Sequence, residues 1–372
     1  MNFEIKQDIL VENLNYVIRG ISNKNIIPIL NCIKFELTNE GLYMLSTDNE
    51  SAIKTFISHD KIDKINNLGE FVISGKYIYE IVKKLPNELI KIEEIIDNKI
   101  NISTPNSSFN LNCNNINEFP ELDLNDSKTP ILLTHKQLKT MIKQTSFAAS
   151  TQENRPEFTG INFKIENQIL ECTATDSYRL AKKKIKINEK MDDLINIIVP
   201  TRNLNELEKM LNETDNIVEV HIFNNKIIFK FNDILVMSRL INGTYPDTNK
   251  LIPTDFKIIL DTNLLDFYQA IDRASLLTSE FDKNTIKLDY SNNIVELSSN
   301  IPEIGHVEEK IHVQSNNDET IKLAFSSRYM MEALKSFDSI NVNIKFNGEE
   351  KPIIISENDE DVIQLILPIK TY

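Results

Sequence analysis

Lys76, Glu80 and Lys83 stand in "SGKYIYEIVKK", and the same basic–acidic–basic order returns as Arg202, Glu206 and Lys209, then as Arg328, Glu332 and Lys335, each time 126 residues later. Ammonium and guanidinium groups spaced along a helix can hold phosphate oxygens by charge and hydrogen bonding. One such triplet is ordinary helix design, because Glu placed before Lys, as in Glu80–Lys83, stabilises an exposed helix by roughly 0.2–0.5 kcal/mol. Three in one register call for duplication. Other reactive side chains are scattered. His59, His135, His221, His306 and His312 form no HxxxH or HExxH pair, and each reads as a surface or core histidine. No GxxxxGK[ST] phosphate cradle occurs. Asp359, Glu360 and Asp361, with Glu93 and Glu94, could suggest a metal-dependent nuclease, but "SENDEDV" lies between two strand-like runs and reads as a solvated turn. The chain therefore predicts no catalytic residue, no metal and no cofactor.

The elements that must carry the triplets follow from the repeat. The chain has 372 residues, too many for one core, and three copies near the 126-residue interval fill it. "EFPE" at 118–121 returns as "TYPD" at 244–247, and "STDNESAIK" from Ser46 resembles "ATDSYRLAK" from Ala174. Boundaries are placed near 128 and 253, giving domains 1–128, 129–253 and 254–372. Each copy opens on a helical pattern. In the first, Leu10, Leu14, Val17, Ile18 and Ile21 share a face, while "THKQLKTMIKQTSF" and "DTNLLDFYQAIDRA" open with a Thr or Asp suited to capping. Alternating strands such as "IKFEL", "VEVHIF" and "IIFKF" follow, broken by turns at Asn39–Gly41, Asn224–Asn225 and Asn347–Gly348. The predicted class is α+β, with antiparallel sheets and two helices per copy.

Charge is distributed unevenly. The net charge is −14, which on its face repels nucleic acid. The six helical stretches nevertheless sum to +3 and leave −17 for the remainder. Lys136, Lys139 and Lys143 lie along one stripe. A solvated helix face is one explanation, and helices that meet phosphate are the other; the two can be told apart only if the copies are arranged so that their helices converge, as a ring would do. No run is long enough to span a membrane as a helix, and the start lacks a signal-peptide core. Cys32, Cys113 and Cys172 show no CxxC spacing, so a reduced, cytoplasmic protein is expected.

At this point the residues resemble a known family. "IIPIL" at 26–30, "NRPEFTGINF" at 154–163, "TATDSYRLA" at 173–181, "NGTYPDTNKLIP" at 242–253 and the closing "QLILPIKTY" are similar, in order, to the bacterial sliding clamp, the beta subunit of DNA polymerase III. The resemblance implies three similar domains per chain and a head-to-tail ring homodimer, with antiparallel sheets outside and helices inside around duplex DNA. It implies a processivity factor, not an enzyme, that tethers the replicative polymerase and other replication and repair proteins carrying short clamp-binding peptides. A separate clamp loader would open the ring. By the same resemblance, Lys24, Lys76, Lys83, Lys136, Lys139, Lys143, Gln152, Arg202 and Lys209 face DNA without reading sequence. A peptide pocket is expected from Phe158, Thr175, Ser177, Tyr178, Arg179, Leu180, Pro246, Lys250, Leu251, Leu365, Leu367, Pro368 and Ile369, with Arg179 and Lys250 able to meet a peptide carboxylate or carbonyl. Phe109 with Leu276 and Leu277 match the opposing edges of the dimer interface. Residue by residue, the competing readings are core leucines and a plain turn at Thr175–Asp176–Ser177. A triplicated protein-binding scaffold that never encircles DNA is the alternative function; a metal-dependent nuclease is a more distant one.

Overall fold

A computed structural model describes residues 1–22, 26–95, 98–190, 194–357 and 361–370. Lys24 of the expected DNA-facing set, and Asp359 and Glu360 of the acidic cluster, lie outside the described residues. Six α-helices occur among the described residues: α1 Gln7–Val17, α2 Gly75–Lys84, α3 His135–Thr145, α4 Thr201–Glu208, α5 Leu264–Ser275 and α6 Ser327–Leu334. The triplet interval reappears in the backbone. Strands Gly69–Ser74, Ile195–Pro200 and Ile321–Ser326 each run directly into a helix, and α2, α4 and α6 therefore start 126 residues apart. Lys76, Arg202 and Arg328 are the second residues of their helices.

Inter-residue contacts divide the chain into two compact units, Met1–His135 with Lys209–Leu240, and Lys136–Glu208 with Ile241–Tyr372. The first unit holds a five-stranded sheet and an eight-stranded sheet, the second a nine-stranded and a four-stranded one. Antiparallel pairing runs through all four. The two long sheets explain why the units differ from the thirds read in sequence. In the first unit Ile234–Arg239, from the second copy, pairs with Ser51–Ser58 from the first. In the second unit Val362–Ile366, from the third copy, pairs with Arg179–Lys186 from the second. Each sheet crosses a repeat boundary, so the strands of the second copy are shared between units.

Helix faces close the cores as their spacing requires. In α1, Leu10, Leu14 and Val17 are fully buried and pack with Phe3, Phe35, Ile78 and Val82. In α5, Phe267, Ala270, Ile271 and Ala274 repeat at three- and four-residue steps and pack with Met330, Ala333 and Leu334 of α6. Burying one such large side chain stabilises the fold by about 1.5–3 kcal/mol. Two local expectations are corrected. The side-chain cap of α5 is Asn263, whose Oδ1 accepts from the Asp266 N–H at 3.1 Å, whereas Asp261 is still in the preceding strand, opposite Asn343. In α2 the partner of Glu80 is Lys84 at 3.5 Å, one helical turn on, and the Lys83 ammonium instead lies 5.2 Å from the Tyr79 ring centroid.

Candidate functional site

The expected pocket residues fall within the second unit, around a turn whose geometry its own side chains impose. Thr175 Oγ1 donates to the Arg179 carbonyl at 2.5 Å and accepts from the Ser177 N–H at 3.1 Å. Asp176 Oδ1 accepts from the N–H groups of Tyr178 and Arg179 at 2.9 and 3.0 Å. Ser177 is held at φ +78°, a left-handed conformation that the surrounding bonds must stabilise. Tyr178 is consequently thrust outward, 60% exposed. The polar residues expected to line the pocket thus build the turn, and the aromatic one is presented.

Beyond the turn, Leu180 pairs with Leu365, and the Leu367 N–H donates to the Tyr178 carbonyl at 2.9 Å, extending the ladder one step. That last bond sets Leu367, 39% exposed, beside Tyr178. Leu180 and Leu365 are buried and pack with Ile354 above half-buried Ile252 and Phe256. Leu251, 55% exposed, ends the short 3-10 turn Asn249–Leu251 that also presents exposed Lys250. The Ile369 N–H donates to the Ala324 carbonyl at 2.7 Å and secures the end of the strand that carries Leu365. Tyr178 and Leu367 are thus accessible apolar side chains beside buried Leu180 and Leu365, and Leu251 is accessible next to Ile252, which packs on that floor.

Two expected members have other duties. Phe158 is buried in a separate cluster with Tyr245, Ile198 and Ile241, its ring edge-on to Tyr245 at 6.0 Å, so it braces the segment leading to exposed Pro246. Arg179 was expected to meet a peptide carboxylate, but its guanidinium is buried and engaged. Nε binds Asp176 Oδ2 at 3.0 Å, Nη1 binds Glu332, and the group lies 4.4 Å from the Tyr329 ring centroid. Desolvating it with two carboxylates and a ring leaves no face for a ligand. Of the two cations expected in the pocket, Lys250 is the accessible one.

Sequence reasoning missed the group that fixes the Asn249–Leu251 turn. Lys182 is only 2% exposed; its Nζ donates to Asn249 Oδ1 at 2.6 Å and pairs with Glu171 Oε1 at 3.1 Å. Burial pushes its ammonium pKa down, opposed by the Glu171 carboxylate. The signal existed, since Lys182 closes "ATDSYRLAK" as Lys54 closes "STDNESAIK". A repeated lysine inside an apolar strand needs a partner.

The expected DNA-facing residues sit mostly on solvent-exposed helix surface. Lys76, Lys83, Lys136, Arg202 and Lys209 are exposed, as is Gln152, and Lys139 is half-buried. Lys143 is paired with Asp338 at 2.7 Å, so part of its charge is already neutralised. Phe109, 38% exposed, lies on Ser107–Asn112, the outer strand of the five-stranded sheet. Leu276, 77% exposed, follows α5, and Leu277 beside it is half-buried. Phe281, wholly exposed, adds an apolar residue that sequence reasoning did not name. In the same unit Gly305–His312 is the outer strand of the four-stranded sheet. Each unit therefore offers an open sheet edge with apolar side chains on the same unit.

The nuclease reading finds no convergent acids in Glu93 and Glu94. Glu94 binds the N-terminal ammonium at 2.9 Å and Glu93 binds Lys91 at 2.6 Å. No helix among the described residues is long and apolar enough to cross a membrane.

Models of the DNA polymerase III beta subunit match three successive stretches: the N-terminal domain at 1–123, the central domain at 132–247 and the C-terminal domain at 249–370. The beta sliding clamps of Bacillus subtilis and Staphylococcus epidermidis are 39% and 38% identical, each aligned over all of both chains. Solved structures of the DNA polymerase sliding clamp from Bacillus subtilis and of the DNA polymerase III beta chain from Streptococcus pneumoniae superpose with TM-scores of 0.96 and 0.94, at 39% and 33% identity and full coverage of both chains. The fold is the three-domain clamp fold of antiparallel sheets with few helices, and the chain belongs to the DNA polymerase III beta subunit family, the beta sliding clamps.

Proposed function

We propose that this protein is the processivity factor of a replicative DNA polymerase. In this reading it is a head-to-tail homodimeric ring that encloses duplex DNA and slides on it without reading sequence, and it acts in the cytoplasm without catalysing a reaction. The domains are 1–128, 129–253 and 254–372. The observation that carries the reading is the helix start repeated at Gly75, Thr201 and Ser327, each followed at once by a cation, within a chain matched end to end by its family. Lys76, Arg202 and their neighbours, together with Lys24 and Gln152, would meet phosphates. Retention by enclosure requires only weak electrostatics, and the acidic remainder of the chain disfavours DNA elsewhere.

Tyr178, Leu251 and Leu367, with Lys250, are proposed to form a strip that docks short peptides with apolar ends from the polymerase catalytic subunit, the clamp loader and repair proteins. The exposed apolar side chains over an ordered floor support this, because such residues cost solvation unless a partner covers them. Phe109 is proposed to close the ring against Leu276 and Leu277 of a second copy. The test is the double substitution Tyr178→Ala with Leu367→Ala. Peptide-anchor truncations of this kind weaken binding about tenfold or more. Polymerase processivity should fall accordingly while the dimer mass is unchanged. Full processivity in the double variant would contradict the docking assignment.

A further inference from the structure

The junction between the first and second copies repeats the junction that carries the docking strip. Ser51–Thr55 pairs with Ile234–Ser238, and every one of these five pairs maps onto a pair of Arg179–Lys183 with Val362–Ile366 when 128 is added to both members. The bonds flanking the ladder repeat as well: Arg239 N–H to Glu50 carbonyl at 2.8 Å matches Leu367 N–H to Tyr178 carbonyl at 2.9 Å. Two side chains that are partners in the second junction have changed relationship in the first. Lys182 and Glu171 correspond to Lys54 and Tyr43. Where Lys182 is buried against a carboxylate, Lys54 is half-exposed and lies 4.3 Å from the Tyr43 ring centroid.

A cavity of about 580 Å³ opens at that place, within the roughly 300–1,000 Å³ typical of ligand clefts. Its walls include Tyr43, Leu45, Lys54, Phe119, Leu122 and Leu124. Leu45, Leu122 and Leu124 are half-buried around a floor of Ala52, Ile228 and Met237. The wall from the connecting segment is anchored, because Lys226 binds Asp123 at 2.7 Å and Lys230 binds Asp126 at 2.7 Å. Lys34 also lines the cavity but is taken by Glu70 at 2.8 Å, and exposed Glu36 and Glu121 keep anions away from the other walls. An anion is thus directed to Lys54.

We propose that this cavity is a second peptide-docking site, taking apolar side chains on Leu45, Leu122 and Leu124 and a terminal carboxylate at Lys54. The ligand carboxylate takes the role that Glu171 plays toward Lys182. This inference rests on the family's peptide-docking reading for its ligand class, but it concerns different residues. The probe is the tripeptide Leu-Leu-Phe as free acid and as C-terminal amide, titrated against the full-length protein with methyl-labelled leucines. Saturating shifts are expected at Leu45, Leu122 and Leu124, with the acid preferred over the amide about tenfold, as a lost charge-assisted hydrogen bond requires. Lys54→Gln should erase that preference. Tyr43→Glu, which rebuilds the ion pair of the other junction, should erase it too. Absence of saturating shifts at these three leucines, or equal binding of acid and amide, overturns the proposal. A preference for the acid that survives Lys54→Gln also overturns it. The methyls of Leu251 and Leu367 report the docking strip in the same titration. Silence there with a response at Leu45 would sink the strip and leave the cavity standing, and the reverse pattern would do the opposite.

Discussion

Arg179 shows how a residue type can point to the wrong partner. In the sequence it sits in "TATDSYRLA", one of the segments that carry the family resemblance, and a guanidinium there suggests a ligand carboxylate. In the structure it spans 153 residues to reach Glu332, which also accepts from Arg328 Nε at 3.2 Å. Glu332 is the acidic member of the third triplet, so its role is to join two copies and not only to support its own helix. Arg179→Met should lower unfolding stability by about 3 kcal/mol, because Asp176 and Glu332 are left partly buried without their counter-ion. Denaturant unfolding of the variant checks this; a loss below about 0.5 kcal/mol would show that the buried pair is dispensable. The repeat marks Lys182, but its partners Glu171 and Asn249 are hidden for the same reason. Their meeting depends on strand register and on the return of a distant loop, and neither is written in local spacing.

Elements were legible where one physical rule dominated. The apolar faces of α1 and α5, the strands around Phe35 and Phe229, and the antiparallel order follow from periodicity and turn residues. The cap at Asn263 was misplaced by two residues because Asp261 and Asn263 are both good caps and only the strand pairing of Asp261 decides between them. The sheet crossings at Ser51–Ser58 with Ile234–Arg239 could not be read at all, since register across 180 residues leaves no local mark. Helix α3 carries a pH response of its own. His135 is 1% exposed at its first residue, its Nδ1 accepts from the Asn212 N–H at 3.3 Å, and its ring is edge-on to Phe231 at 5.1 Å. Burial pushes its pKa below the ordinary 6.5. As pH falls through about 6.5 the unfolded chain takes up this proton before the folded one does, so the contribution is complete above that pH and declines below it. Unfolding stability should drop between pH 7.5 and 5.5 by at most about 1.4 kcal/mol per pH unit from this site, and His135→Gln should flatten the slope. An unchanged slope in the variant would remove His135 as the cause.

Three features of the molecule stand together: cations repeated at helix starts, an acidic remainder, and an open edge strand in each unit. None requires the others in a monomeric scaffold. In a ring they belong together, because the edges close it, the helices line it, and the excess negative charge discourages DNA from the outside. The most direct test is the solution mass measured together with small-angle X-ray scattering. A ring dimer requires a species of twice the chain mass, with a distance distribution that shows a central hole wide enough for duplex DNA. Phe109→Asp or Leu276→Asp should shift that species toward the single-chain mass. A wild-type protein that remains a compact or extended monomer at micromolar concentration would contradict the ring.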